Sequence, residues 1–296
     1  MSGIKGVWLP IVTPFVEGEV DFASYERLLE HYLAEEVAGI FPLGTTGESP
    51  TIEEGEAEAI VERTLAVVAG RVPVYVGVGG NDTKKVLKTL KRLERYDFPG
   101  IVSVCPYYNR PSQDGMREHF TRIAEATARR IVIYNIPYRT GVNLTNETLL
   151  RLAELSNIVG VKDSSGNLAQ SLELLRIRPK GFAVMTGEDA YFYTMLAHGA
   201  DGGILASAHL RTEFFLGVHE RIADNDLHGA HALWSPLETL VPLLFREANP
   251  MPIKHCLWRR GLIRSPECRL PLTRISPALA EELDRLEADV ATRAAE

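Results

Sequence analysis

Eight short apolar segments, separated by segments with helical periodicity, constrain the fold of this chain more than any other feature. The apolar segments cover residues 7–12, 39–43, 72–78, 100–105, 130–135, 157–162, 181–186 and 202–206. Between them, apolar residues recur three and four positions apart, as at Tyr25, Leu28 and Tyr32, which indicates helices with one apolar face. Nearly continuous apolar strands joined by helices predict an α/β fold, a (β/α)8 TIM barrel. A doubly wound open sheet is the alternative.

The length of the chain and the end of the strand pattern predict its domain organisation. A chain of 296 residues suits one barrel with an appendage. After residue 206 the strand pattern stops, and helical patterns cover residues 214–222, 228–245 and 252–260. We therefore predict a barrel catalytic domain over residues 1–225 and a C-terminal helical extension packed on it over residues 226–296.

Composition excludes several classes of partner. A net charge of -7 disfavours binding to nucleic acid or anionic lipid. No apolar run approaches the roughly 18 residues of a membrane helix, and the N-terminal segment lacks a signal-peptide pattern. The three cysteines, an odd number without Cys-x-x-Cys spacing, indicate neither a disulfide framework nor a zinc ribbon. His228 and His231 lack the glutamate of a His-Glu-x-x-His site, so we expect no metal site. The missing signal-peptide pattern and the cysteine spacing lead us to expect a cytoplasmic protein.

Lys162 ends the apolar run of residues 158–161 and is followed at once by Asp163 and turn-forming residues. A lysine at this point either extends its ammonium to solvent or is held in the protein interior. Burial can lower the pKa of a lysine from about 10.4 by up to roughly 3–5 units, which makes a neutral amine available near neutral pH. A neutral amine attacks carbonyl carbons, so Lys162 is a candidate nucleophile.

Polar residues also follow other strands, and in a parallel barrel the carboxyl ends of the strands form the active-site face. The segments concerned are 44–48, 106–110, 134–141 and 187–189, which together contain threonines, tyrosines, two arginines and acidic residues. Together with a lysine, these groups suit imine chemistry on a carbonyl compound that bears a carboxylate. Each also has an ordinary explanation: a tight turn, rim aromatics, or a solvated arginine.

The motifs in these segments resemble those of the dihydrodipicolinate synthase and N-acetylneuraminate lyase family of pyruvate-dependent class I aldolases. The resemblance covers nearly the whole chain. It is carried by the motifs at residues 44–48, 106–113, 134–137, 160–162 and 249–254.

The resemblance implies a Schiff base between Lys162 and the C2 keto group of pyruvate, without a metal or other cofactor. Tyr134, Thr46 and Tyr108 would form a proton relay. Tyr108 would come from a neighbouring subunit, within a homotetramer built as a dimer of dimers. Partners would thus be small molecules, pyruvate and an aldehyde acceptor.

The resemblance also implies a substrate pocket. Thr45 and Thr46 would bind the pyruvate carboxylate, and Gly187 and Ile204 would line the imine pocket. Arg139 matches the arginine with which synthases of the family bind the carboxylate of L-aspartate 4-semialdehyde, the acceptor in lysine biosynthesis. Two alternatives stay open: an aldolase or dehydratase for another 2-keto acid, such as N-acetylneuraminate or a keto-deoxy sugar acid, and a barrel that binds keto acids without turnover.

Many family members are inhibited by lysine at a site between subunits, and this chain differs from sensitive members there. Ser49, Asn81 and Tyr107 match, but Lys85 stands where sensitive members carry a glutamate. The resemblance therefore predicts that lysine does not regulate this protein.

Overall fold

The computed structural model describes residues 4–293 of the chain, with side chains described as far as residue 286. Its strands are β1 (Gly6–Leu9), β2 (Phe15–Val16), β3 (Glu19–Val20), β4 (Gly39–Ile40), β5 (Tyr75–Gly77), β6 (Gly100–Val104), β7 (Arg130–Asn135), β8 (Ile158–Asp163), β9 (Ala183–Thr186) and β10 (Gly202–Ile204). Strands β2 and β3 form a small antiparallel hairpin. The other eight match the eight predicted segments, with shorter bounds at most of them.

Helices lie between and after these strands. They are α1 (Phe22–Ala34), α2 (Glu54–Val68), α3 (Thr83–Leu93), α4 (Gln113–Glu125), α5 (Pro137–Thr140), α6 (Asn146–Leu152), α7 (Leu168–Ile177), α8 (Phe192–Ala197), α9 (Thr212–Ala223), α10 (Leu227–Trp234), α11 (Leu237–Leu244), α12 (Met251–Arg259) and α13 (Pro277–Arg293). Within residues 4–293, no helix combines the length and the apolar character that crossing a membrane requires.

The eight strands form one sheet in the order β4-β1-β10-β9-β8-β7-β6-β5. Neighbouring strands run parallel, and an isolated parallel bridge between Ile40 and Val74 joins the two ends of the order. The sheet is therefore a nearly closed barrel, which confirms the predicted (β/α)8 barrel and its helical C-terminal part. Its interior is filled by apolar side chains, including Trp8 and Tyr75, whose rings meet edge to face at 5.1 Å.

Contacts within the chain define two compact units. The first unit consists of residues 1–8, 38–41 and 72–205. It contains helices α3 to α8 and all eight barrel strands, except that Leu9, the last residue of β1, belongs to the second unit. The second unit, residues 9–37, 42–71 and 206–296, contains the hairpin, α1, α2 and the helices from α9 onward. The predicted domain boundary at residues 225 and 226 stays a prediction.

The helix predicted over residues 228–245 is wrong in one respect, because the structure has two helices there. Helix α10 ends at Trp234, and α11 begins at Leu237. Pro236 lies between them, and a proline lacks the N–H that would continue a helix but has the φ angle that suits a helix start. Periodicity alone runs through this break.

Candidate active site

Lys162 is the penultimate residue of β8, at the carboxyl end of the strand. In the parallel register it is paired with Tyr134 of β7 and Met185 of β9. Both partners belong to the barrel's interior cluster, and paired residues of adjacent strands point to the same face. Lys162 therefore points into the barrel, and only 5% of the residue is exposed. The alternative of a lysine that extends to solvent is excluded.

The surroundings of Lys162 favour the neutral amine. Its Nζ lies 4.2 Å from the centroid of the Tyr134 ring and 5.4 Å from that of Phe41. Burial lowers the pKa of Lys162 to about 8; the Asp189 carboxylate opposes this shift and the Arg139 guanidinium adds to it. Roughly a tenth of this lysine is thus a neutral nucleophile at pH 7, far more than for a lysine with an ordinary pKa.

Gly187 follows β9 and leaves the space that the Lys162 side chain fills. A Cβ at residue 187 would lie 2.6 Å from Cε and 2.8 Å from Cγ of Lys162. The Gly187 N–H donates a hydrogen bond of 2.8 Å to the carbonyl of Asp163, which fixes this approach. Ile204 of β10 is 1% exposed and belongs to the same interior cluster. The barrel therefore brings four of the predicted residues together: Lys162, Tyr134, Gly187 and Ile204.

Arg139 lies on the one-turn helix α5, which directly follows β7 through Ile136. Its side chain is exposed, and its guanidinium carbon lies 5.5 Å from the centroid of the Tyr138 ring. The Arg139 charge acts on Lys162, since it contributes to the lowered pKa of that lysine. An exposed cation within electrostatic reach of a buried amine suits an anionic group on a substrate.

Tyr108 is 89% exposed and so does not pack among the buried side chains of its own chain. Its backbone has φ of 73°, a left-handed conformation that costs a non-glycine residue on the order of 1 kcal/mol or more. A hydrogen bond of 3.3 Å from the Tyr108 N–H to the Thr140 carbonyl holds this loop. The strained backbone thus presents an aromatic phenol outward.

Thr45 and Thr46 belong to the second unit, in the turn of residues 44–48. The turn is closed by a hydrogen bond of 3.0 Å from the Glu48 N–H to the Thr45 carbonyl. Thr46 is 3% exposed, and its Oγ1 accepts a hydrogen bond of 3.0 Å from Asn249 Nδ2. Sequence reasoning used Asn249 only as part of a motif, because no pattern connects residues so far apart.

Two acidic residues, Glu188 and Asp189, follow β9. Burial and the nearby carboxylates of Asp189 and Asp163 raise the pKa of Glu188 to about 7. A carboxyl with such a pKa can donate or accept a proton near neutral pH. The adjacent acidic residues after a strand were the sequence signal for this cluster.

Comparisons with known proteins agree with this geometry. A model of the dihydrodipicolinate synthetase family matches residues 3–290. A 4-hydroxy-tetrahydrodipicolinate synthase 2 of Clostridium acetobutylicum is 52% identical to this chain, over 95% of this chain and 99% of that protein. A 4-hydroxy-tetrahydrodipicolinate synthase of Porphyromonas gingivalis is 37% identical, over 98% of each protein. The crystal structure of dihydrodipicolinate synthase from Thermotoga maritima superimposes with a TM-score of 0.95 at 38% identity, covering 97% of this chain and 99% of that one. The resemblance read from the motifs is confirmed, and the chain belongs to the dihydrodipicolinate synthetase family.

Proposed function

We propose that this protein is a 4-hydroxy-tetrahydrodipicolinate synthase, a lyase of the pyruvate-dependent class I type that condenses pyruvate with L-aspartate 4-semialdehyde. The observation that carries the proposal is Lys162, a buried amine with a pKa lowered to about 8 at the carboxyl end of a barrel strand. Relatives with the same name, up to 52% identical, support the choice of reaction.

In the proposed mechanism, neutral Lys162 Nζ attacks C2 of pyruvate and water leaves to give an imine. The protonated imine withdraws electrons, so the methyl carbon loses a proton and attacks the aldehyde carbon of the acceptor, whose oxygen takes up a proton and becomes a hydroxyl. The amino group of the acceptor then displaces Lys162 Nζ from C2, which closes the ring and frees the lysine. Tyr134, paired in register with Lys162, is the proposed proton carrier beside the imine. We propose Thr46 and Tyr108 as the further members of this relay.

The proposed pocket has two anion sites. Thr45 and Thr46 bind the pyruvate carboxylate with hydroxyl and backbone donors, and Gly187 and Ile204 line the imine. Arg139 binds the carboxylate of the acceptor, because its guanidinium can donate two parallel hydrogen bonds to one carboxylate. The exposure of Arg139 supports a role toward the later, incoming substrate.

We further propose a homotetramer, a dimer of dimers, in which Tyr108 enters the site of a neighbouring subunit. The support is that this tyrosine is 89% exposed on a backbone held at φ of 73°. Sedimentation analysis tests the assembly. Tyr108→Phe should lower turnover and leave the assembly intact, since it removes only the phenol oxygen.

No cofactor is part of the proposal, because the imine itself stabilises the carbanion. Among the described residues, no group of three or more His, Cys, Asp or Glu side chains could hold a metal ion. Activity should therefore survive dialysis against a chelator. Activity that disappears with the metal and returns with it would contradict the imine mechanism.

The decisive experiment is an acceptor panel assayed with pyruvate. L-Aspartate 4-semialdehyde should give the highest kcat/KM, compared with aldehydes that lack its carboxylate and with N-acetylmannosamine. Cleavage of N-acetylneuraminate and of keto-deoxy sugar acids, measured in the reverse direction, tests the aldolase alternatives. A protein that forms the imine but turns over no acceptor would instead be a keto-acid-binding barrel.

A further inference from the structure

The Thr46 hydroxyl has one hydrogen-bond partner within the second unit, and it comes from a distant part of the sequence. Asn249 Nδ2 donates to Thr46 Oγ1 over 3.0 Å, although the two residues are 203 positions apart. Both side chains are buried, with 3% of Thr46 and 7% of Asn249 exposed. Asn249 Oδ1 is itself buried and has no hydrogen-bond partner among the described residues. Among the described residues, the amide therefore has a single polar contact, the Thr46 hydroxyl.

The segment that carries Asn249 also holds the turn at a second point. Lys254 lies on α12, which begins two residues after Asn249, and forms a fully buried ion pair with Glu48. Glu48 Oε2 accepts a further bond of 2.9 Å from the Arg269 N–H, and Lys254 Nζ donates one of 2.8 Å to the Glu267 carbonyl. Two contacts, at Thr46 and at Glu48, thus fix the turn of residues 44–48 to one short segment.

The other side of the turn is equally constrained. Thr13 Oγ1 donates a hydrogen bond of 2.9 Å to the Gly47 carbonyl. A Cβ at Gly47 would lie 3.1 Å from the Ile11 carbonyl oxygen and 3.3 Å from the Leu43 nitrogen, so the backbone passes close to its neighbours. Contacts therefore hold the turn on both sides of Thr46.

The direction of the Asn249 bond decides what the Thr46 hydroxyl can do. A hydroxyl has one proton and two lone pairs, whereas an amide NH2 group only donates. Because Asn249 occupies a lone pair of Thr46 Oγ1, the hydroxyl proton stays free for another acceptor. A proton relay needs such a fixed direction, since a hydroxyl that donated to Asn249 would interrupt it.

We propose that Asn249 is a positioning residue that acts through Thr46. By donating a hydrogen bond to Thr46 Oγ1, the Asn249 amide directs the Thr46 hydroxyl proton away from the amide and into the relay. The inference rests on the proposed function, in which Thr46 transfers protons. The Lys254–Glu48 ion pair keeps the two side chains at bonding distance.

A double-mutant cycle tests this inference. Asn249→Ala should lower kcat by about 5- to 100-fold, the range expected for one hydrogen bond to a group that must stay oriented, with a smaller change in KM for pyruvate. In a Thr46→Val background, which lacks the hydroxyl, Asn249→Ala should cause no further loss. Losses that multiply in the double variant would overturn the proposal. Where turnover of a Thr46→Val variant is too slow, the rate of borohydride trapping of pyruvate serves as the readout.

Asn249→Asp provides a second test that keeps the size of the side chain. The ionised carboxylate accepts a hydrogen bond from the Thr46 hydroxyl, which reverses the direction of the bond. The protonated carboxyl can donate a hydrogen bond to Thr46 Oγ1, as the amide does. Activity relative to the unmodified protein should therefore rise as the pH falls, and Thr46→Val should abolish that pH effect. A pH effect of equal size without the Thr46 hydroxyl would show a purely structural role.

Two controls separate the possible failures. Asn157→Ala removes bonds of 2.9 and 2.8 Å from a half-buried asparagine to the Ala124 and Thr127 carbonyls, and it should leave kcat and its pH profile unchanged. The unmodified protein must first condense pyruvate with L-aspartate 4-semialdehyde, since failure there would refute the proposed function. Turnover by the unmodified protein with no coupling between Asn249 and Thr46 would refute this inference alone.

Discussion

Tyr134 and Lys162 occupy paired positions in β7 and β8, and Lys162 Nζ lies 4.2 Å from the centroid of the Tyr134 ring. A buried cation over an aromatic face gains about 2 kcal/mol, which would favour the ammonium. Burial acts in the opposite direction and lowers the pKa of Lys162 to about 8. The pairing therefore holds a reactive amine against a phenol.

Pyruvate with borohydride should modify Lys162 irreversibly, because reduction converts the imine to a stable secondary amine. Peptide mapping by mass spectrometry should find the adduct on Lys162. Lys254 is the internal control, since it is also buried but its Nζ is engaged by Glu48 and by the Glu267 carbonyl. Lys162→Arg keeps the cation and should not be labelled. An adduct on Lys162→Arg, or on Lys254, would contradict the assignment.

The rate of imine formation should rise with pH, with its midpoint near pH 8, and level off about one pH unit higher. Below its pKa the lysine is protonated and not nucleophilic; at pH 7 roughly a tenth of Lys162 is neutral. Arg139→Ala should move the midpoint to higher pH, because it removes a cation that disfavours the ammonium. Asp189→Asn should move it to lower pH, because it removes an anion that favours the ammonium. Stopped-flow measurement at sub-saturating pyruvate gives all three midpoints, and shifts in the same direction would exclude this electrostatic account.

Arg139→Ala should weaken use of the acceptor more than use of pyruvate. Loss of a charge-assisted contact of about 1.5–3 kcal/mol predicts a fall of roughly 10- to 150-fold in kcat/KM for L-aspartate 4-semialdehyde. Borohydride trapping of pyruvate, measured at pH 10 so that most of Lys162 is neutral in both proteins, should persist. Arg139→Lys should recover only part of the loss, because an ammonium cannot make two parallel bonds. An equal loss in both steps would mean that Arg139 supports the fold instead.

Gly187→Ala should abolish imine formation while the protein still folds. The added methyl group would overlap the Ser164 hydroxyl and also Cε and Cγ of Lys162, at 2.6 and 2.8 Å, and so displace the amine. Gly55→Ala is the matched control, since no atom lies within 4 Å of its added Cβ and alanine favours its helix α2 by about 0.5–1 kcal/mol. Trapping yield and thermal midpoint are compared for both variants. Normal trapping by Gly187→Ala would show that the Lys162 side chain does not depend on this space.

Millimolar lysine should leave the initial rate nearly unchanged at sub-saturating pyruvate. Lys85, whose side chain is 84% exposed, stands where sensitive family members carry a glutamate. Replacing an attractive charge by a repulsive one changes the interaction energy with the bound ammonium by roughly 2 kcal/mol near 4 Å in water, and by more in partly buried surroundings. Lys85→Glu should increase inhibition, whereas Lys88→Glu, the same charge change elsewhere on α3, should not. Inhibition of the unmodified protein at sub-millimolar lysine would contradict this prediction.

Local sequence determined the order of elements and several of their ends. The run of residues 130–135 is strand β7 over the same residues, and the segment of residues 157–162 is β8 displaced by one position. Asp82 and Thr145, residues of types that favour helix starts, cap α3 and α6 through their side chains. These features depend on apolar periodicity and on hydrogen bonds between residues a few positions apart, which are visible in the sequence.

Tertiary structure decided what those residues can do. The lowered pKa of Lys162 depends on burial against Tyr134 and Phe41 and on the charges of Asp189 and Arg139, none of which is its neighbour in sequence. The bond from Asn249 to Thr46 joins residues 203 positions apart. Desolvation and charge–charge interactions depend on distance in space, so the sequence alone determined which side chains were available, and only the closed barrel and the packed turn determined their chemistry.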